Sequence, residues 1–222
     1  MARNIPRDDP TLGAEHAAII GTIGSGKSFA EKWILGSLYG ERQIIVINSK
    51  DDPNFKGLDA VYVKHAMALS RYRDPVRWPL LIYTPVASEL NFDTLDAVCQ
   101  WAYNRQNTIL AIDEVTQVTP PANPGLGLLN AITRGRSRHV SVIACTQRPV
   151  KVPPIVLSES SLIYLFELRR RQDRETVDDY TEDNFADRVR RTKDQGEQYA
   201  VGVYRAGHGG IIYSDIQEAL TE

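Results

Sequence analysis

The chain has 222 residues, 42% apolar and 24% charged, enough to bury one sizeable core. A formal net charge of −2 excludes a surface coated for nucleic acid, so any such contact must come from local clusters. Two cysteines in apolar segments and four histidines without metal-ligand spacing exclude a disulfide framework and a histidine metal centre, and no run is long enough to span a membrane.

Residues 1–14 begin polar and Pro-containing and read as an arm rather than a signal peptide; residues 15–222 read as one domain. Ala17-Ala18-Ile19-Ile20 is an apolar run expected as a buried strand. Gly21-Thr22-Ile23-Gly24-Ser25-Gly26-Lys27-Ser28 follows and fits G-x-x-x-x-G-K-[ST], the phosphate-binding loop of nucleotide triphosphatases. Glycines let the backbone curl and aim N–H groups at phosphate oxygens. Lys27 supplies a charge for the β- and γ-phosphates, and the Ser28 hydroxyl is a ligand for Mg²⁺. Ser28 to Leu38 reads as a helix whose amino terminus favours the bound anion.

Gln43 to Asn48 is the next expected strand, Val61–Val63 a short one and Leu80–Tyr83 another. Arg71 to Trp78 reads as a basic loop. A helix begins near Asn91 or Asp93, with Leu95, Val98, Cys99 and Ala102 on one face. Thr108 to Ile112 is an apolar strand closed by Asp113 and Glu114, and in parallel sheets ligands gather at the carboxyl ends of strands. Asp113 there can hold Mg²⁺ through its water shell, and Glu114 can orient and polarise an attacking water.

A Pro-rich loop, residues 119–125, precedes a helix through Leu128, Leu129 and Ile132, which ends in the basic stretch 134–139. Val140 to Gln147 is the next strand. Gln147 at its end can hydrogen-bond both a γ-phosphate and the lytic water. Leu162–Phe166 is a further strand, and Arg169 to Asp194 reads as two charged helices. Two closing strands, from Gln198 to Tyr204 and from Gly210 to Tyr213, form a hairpin.

Taken together, the phosphate loop, the Ile112-Asp113-Glu114 strand end, Thr133-Arg134-Gly135-Arg136 and Thr146-Gln147-Arg148-Pro149 resemble the FtsK–HerA superfamily of DNA-pumping ATPases. Weaker echoes run through Phe166-Glu167-Leu168-Arg169 and Gly196-Glu197, so the resemblance extends from about His16 to Val203. It implies an α/β, RecA-like P-loop NTPase fold, a mainly parallel sheet with helices on both faces. It also implies ATP and Mg²⁺ held by Gly21, Thr22, Ile23, Gly24, Ser25, Gly26, Lys27 and Ser28, with Asp113 orienting the metal. Glu114 matches the catalytic base, Gln147 the polar sensor, and Arg136 an arginine finger donated to a neighbouring subunit. A homo-oligomeric ring, a hexamer or pentamer, is implied in turn.

Many superfamily members end the second strand in an acid where this chain has Asn48, which leaves Lys50 and Asp51 without an assigned role. A minimal motor without membrane helices is similar to viral ATPases that package double-stranded DNA. The partners expected are therefore double-stranded DNA gripped without sequence preference and a capsid vertex, in the host cytoplasm. The alternatives are a conjugation- or segregation-type translocase and a nucleotide-gated ring assembly factor without steady hydrolysis. Three basic clusters are candidates for the DNA contact: Arg71/Arg73/Arg77, Arg134/Arg136/Arg138, and the arginines between 169 and 191. The last is interleaved with acids and reads first as a solvated, salt-bridged face.

Overall fold

A computed structural model of the protein describes residues 15–194, 200–214 and 216–219. The expected arm, 1–14, lies outside them, as do Gln198 and Tyr199 of the first hairpin strand. In chain order the elements are β1 (His16–Ile20), α1 (Lys27–Ser37), β2 (Gln43–Ile47), β3 (Val61–Val63), β4 (Leu80–Tyr83), α2 (Phe92–Arg105) and β5 (Thr108–Ile112). They continue with α3 (Val115–Val118), α4 (Leu126–Arg134), β6 (Val140–Thr146), α5 (Pro154–Ser158), β7 (Ser160–Leu165), α6 (Arg171–Asp178) and α7 (Phe185–Asp194). The hairpin β8 (Val201–Arg205) and β9 (Gly209–Tyr213) and a short α8 (Ile216–Ala219) finish the described chain.

All nine strands join one sheet in the order β3-β4-β2-β5-β6-β1-β7-β8-β9. The strands from β3 to β7 in that order pair in parallel, and only the hairpin is antiparallel. Parallel strands are covered on both faces, which is why β1, β2, β4, β5 and β6 are buried at every position. Alternation sorts their side chains. Ile19, Ile109, Ala111, Ile143 and Cys145 pack on one face with Ala30, Ile34 and Leu35 of α1. Leu110, Ile112, Val142 and Ala144 pack on the other with Leu95, Val98 and Cys99 of α2 and Leu128 and Ile132 of α4. Beyond β6 that second face is closed by Val177 of α6 and Phe185 and Val189 of α7. Helices therefore flank both faces, as expected. Both cysteines are buried free thiols.

The helix starts are fixed by local chemistry. Asn91 caps α2 by accepting from the Thr94 N–H at 2.9 Å. For α4 the cap comes from another helix: Asp96 of α2 accepts from the N–H groups of Gly127 and Leu128, both at 2.9 Å. This brings the two backbones so close that a Cβ on Gly127 would lie 2.1 Å from the Asp96 carbonyl oxygen. Gly127→Ala should therefore force α2 and α4 apart and cost about 1–3 kcal/mol or more, since backbone cannot give as a flexible side chain does. Urea denaturation checks this; an unchanged midpoint would contradict the close approach.

Candidate functional site

The loop 21–28 sits at the carboxyl end of β1, in the middle of the sheet. It is tied to both neighbouring strands: the Gly21 N–H donates to the Thr146 carbonyl at 3.1 Å, and the Thr22 N–H donates to the Glu167 carbonyl at 3.0 Å. Gly24 and Gly26 hold φ of 76° and 106°, the left-handed region that side chains other than glycine rarely adopt. Inside the curl, Ser25 Oγ donates to the Thr22 carbonyl at 2.8 Å and Lys27 Nζ to the same oxygen at 3.1 Å. Burial lowers the Lys27 pKa, and neighbouring negative charge, the Glu114 carboxylate included, works against that shift.

Glu114 and Asp113 follow β5, two strands away from β1 in the sheet. Asp113 is buried and accepts from the Ser49 N–H at 3.1 Å, Ser49 Oγ at 2.7 Å and the Lys50 N–H at 3.2 Å. Burial raises its pKa, and these hydrogen bonds oppose the rise. The Glu114 carboxylate is gripped on both oxygens. Oε2 pairs with Lys50 Nζ at 2.6 Å, while Oε1 accepts from Thr116 Oγ1 and Thr146 Oγ1, each at 3.0 Å. Lys50 thus has a clear structural place: it neutralises the acid expected to act as base.

The strand-end Asn48 also has a local reason. Its Oδ1 accepts from the Asp52 N–H at 2.7 Å while its Nδ2 reaches Asp52 O and Thr84 Oγ1, both at 3.4 Å. A carboxylate could not donate the second pair, so the amide builds the turn that presents Lys50 and Asp52. Asp52 accepts from Ser28 Oγ at 3.1 Å. A hydroxyl beside a carboxylate is an oxygen donor pair of the kind that suits Mg²⁺, an ion held by one or two carboxylates plus phosphates and water. Below the loop, on α1, Glu31 is fully buried, and its Oε1 has no hydrogen-bond partner among the described residues. Burial first, and then the Asp113 charge, push its pKa up to about 8, so it is mostly neutral at pH 7.

Of the remaining expected site residues, Gln147 follows β6 directly and so shares the carboxyl edge with the loop, Asp113 and Glu114. Arg136 does not. It lies in the 3₁₀ turn Arg136–Arg138 before β6, at the amino edge, where its Nη2 donates to the Glu159 carbonyl at 2.9 Å. Burial, and then the Arg136 charge, lower the pKa of His16, the first residue of β1, to about 4. The whole length of β6, about 20 Å at strand rise, separates Arg136 from its own phosphate loop. Sequence reasoning missed Ser49, Asp52 and Thr146 and left Lys50 unassigned. The carboxyl-edge rule applied to Asp113 would have flagged the turn after β2 as well.

The sheet order, the strand–loop–helix unit and the acids two strands away define a RecA-like P-loop NTPase fold. No family model matches the chain. DNA packaging ATPase P9 of Enterobacteria phage PRD1 is 27% identical over 160 residues, which are 72% of this chain and 66% of that protein. The genome packaging NTPase B204 of Sulfolobus turreted icosahedral virus 2, in complex with ATP-gammaS, superposes with a TM-score of 0.72. It is 18% identical and covers 93% of this chain and 100% of its own. VirB4 of Thermoanaerobacter pseudethanolicus superposes at 0.63 with 15% identity, covering 89% and 88%. The two structures share the fold, and the phage protein carries the sequence likeness, so the resemblance to minimal viral packaging ATPases stands.

Proposed function

We propose that the chain is an ATP-hydrolysing motor that moves double-stranded DNA into a viral capsid, working in the host cytoplasm as a homo-oligomeric ring. The observation that carries this is the convergence of Lys27, Ser28, Asp113, Glu114 and Gln147 on one edge of the sheet, in a chain similar to a phage packaging ATPase.

In this reading the N–H groups of loop 21–28 and Lys27 hold the β- and γ-phosphates, and the phosphates take the place of the Thr22 carbonyl as partner of Lys27 Nζ. Mg²⁺, when bound, supplies charge neutralisation at those phosphates, and Ser28 and Asp113 would hold it, the latter through water. Glu114 accepts a proton from the attacking water as its oxygen bonds to the γ-phosphorus and the bond from that phosphorus to the β–γ bridging oxygen breaks, leaving ADP and inorganic phosphate. To do so it must free an oxygen from Lys50 or from the two threonines. Gln147 senses the γ-phosphate, and a neighbour's Arg136 stabilises charge developing on it. Residues 15–222 form the motor domain and residues 1–14 its arm.

The test combines phosphate release, with and without double-stranded DNA, and native mass. The expected result is a ring-sized mass and hydrolysis that rises with duplexes of unrelated sequence and stops when Mg²⁺ is chelated. A monomer whose turnover ignores DNA would remove the motor and leave a nucleotide-binding domain of another use.

A further inference from the structure

The three basic clusters read along the chain have different fates in the fold. Three of the arginines between 169 and 191 are spent on acidic neighbours: Arg171 pairs with Glu175, Arg174 with Asp187 and Arg188 with Glu182, at 2.5–2.7 Å. That face is held together by its own charges. The other two clusters come together at the amino edge of the sheet, joined by the end of α2. Arg105 Nη2 donates to the Arg73 carbonyl at 2.5 Å, and the Asn107 N–H donates to the Arg138 carbonyl at 2.9 Å. Segments far apart in sequence thus make one rim. Among the described residues, none of its arginines forms an ion pair with a carboxylate. Asp74, the acid within the 71–78 loop, uses Oδ1 to cap the N–H groups of Val76 and Arg77.

Arg73 Nε donates to the Ser70 carbonyl at 3.1 Å, and three other rim arginines lie over aromatic rings. The guanidinium of Arg77 lies 4.9 Å from the ring centroid of Trp78, Arg105 5.3 Å from Trp101 and Arg138 4.7 Å from Tyr103. A ring face fixes a guanidinium without consuming its charge, so the positive potential stays available to a polyanion. The same stacking occupies ring faces that a single strand would need for its bases. Burial, and then the Arg73 charge, lower the Arg105 pKa.

We infer that the rim of Arg71, Arg73, Arg77, Arg105 and Arg138 is the surface on which the chain grips the phosphate backbone of duplex DNA. The duplex as the anion rests on the packaging reading above; Arg136 is not needed. The surface lies at the opposite edge of the sheet from the chain's own phosphate loop, and the arginines altered below, Arg71, Arg73 and Arg77, leave the 3₁₀ turn that carries Arg136 untouched.

The experiment uses the full chain and fluorescein-labelled duplexes of two unrelated sequences, followed by anisotropy across a salt series. Arg71→Ala, Arg73→Ala and Arg77→Ala combined should cost about tenfold or more in affinity, equally for both duplexes. Each lost phosphate contact should also reduce the salt slope by about 0.9. The corresponding three lysine substitutions should keep affinity within a few-fold, and binding of a fluorescent ATP analogue should be unchanged in both variants. Arg171→Ala with Arg188→Ala, on the ion-paired face, should leave DNA binding alone. Wild-type affinity and slope in the alanine variant overturn the inference, as does a lysine variant that loses as much as the alanine one. Preference for a single strand of equal length overturns it as well. If the wild-type chain binds no DNA at all, the motor reading itself fails, a result distinct from these.

Discussion

Glu114→Gln is expected to bind ATP as the wild type does and to lose turnover by about a hundredfold to ten-thousandfold, the contribution of a positioned general base. The substitution suits the site. Glutamine keeps an Oε1 to accept from Thr116 and Thr146, now at 3.0 Å, so the loop after β5 should not move. It removes the charge facing Lys50, but that ammonium is partly exposed, 35% at the side chain, and can be solvated instead. What the amide cannot do is take a proton from water. Analogue titration beside phosphate release separates binding from chemistry. Hydrolysis at the wild-type rate would sink the assignment of Glu114 as base and leave it a structural acid for Lys50.

Arg136→Ala is expected to lose on the order of a thousandfold or more in hydrolysis while folding normally, the size of effect an arginine finger supplies. Within one chain this makes no sense, because the sheet stands between Arg136 and Lys27. It makes sense only if the amino edge of one copy meets the carboxyl edge of the next. A mixing experiment decides. Lys27→Ala, which removes the charge on the β- and γ-phosphates, and Arg136→Ala should each be inactive alone. Mixed assemblies, with subunit exchange shown independently by a fluorescence-transfer assay, should recover part of the activity. Interfaces then form that pair an intact Lys27 with an intact Arg136. No recovery despite exchange, or full activity of Arg136→Ala alone, rules out the trans finger. As a surface residue only, Arg136 would change stability by about half a kcal/mol or less.

Most of the fold could be read in the sequence because its strands are short apolar runs, buried on both faces, each closed by a polar residue. Gln43–Ile47 and Thr108–Ile112 are of this kind. The α2 face of Leu95, Val98, Cys99 and Ala102 was legible because it repeats at helical spacing within a fourteen-residue helix. The helices Val115–Val118 and Pro154–Ser158 were not, since one turn carries no periodicity. In the site, motif spacing picked out the loop and the two acids as candidates, and the fold brings them to one edge of the sheet. Spacing could not give Lys50 on Glu114 or Asp52 on Ser28, because a pairing between residues 64 or 24 positions apart exists only once the strand order is known. The same holds for the rim, where Arg73 and Arg138 read as separate clusters. The ion pairs of α6 and α7, by contrast, join acids and arginines already interleaved in sequence.

The placing of β1 has a consequence during synthesis. It is the first described strand made, yet its partners are β6 and β7, more than a hundred residues further along. At about 5–20 residues per second, an apolar strand waits unpaired for on the order of ten seconds before a neighbour exists. The phosphate loop waits with it, because its first anchor is the carbonyl of Thr146 and its second that of Glu167. Until then β2, β4 and β5 can assemble among themselves, but a nascent chain that stops short of β6 has nothing to hold the loop open for a phosphate. Nucleotide therefore cannot template the early half of the molecule, and it reaches the chain only after the middle of the sheet has closed.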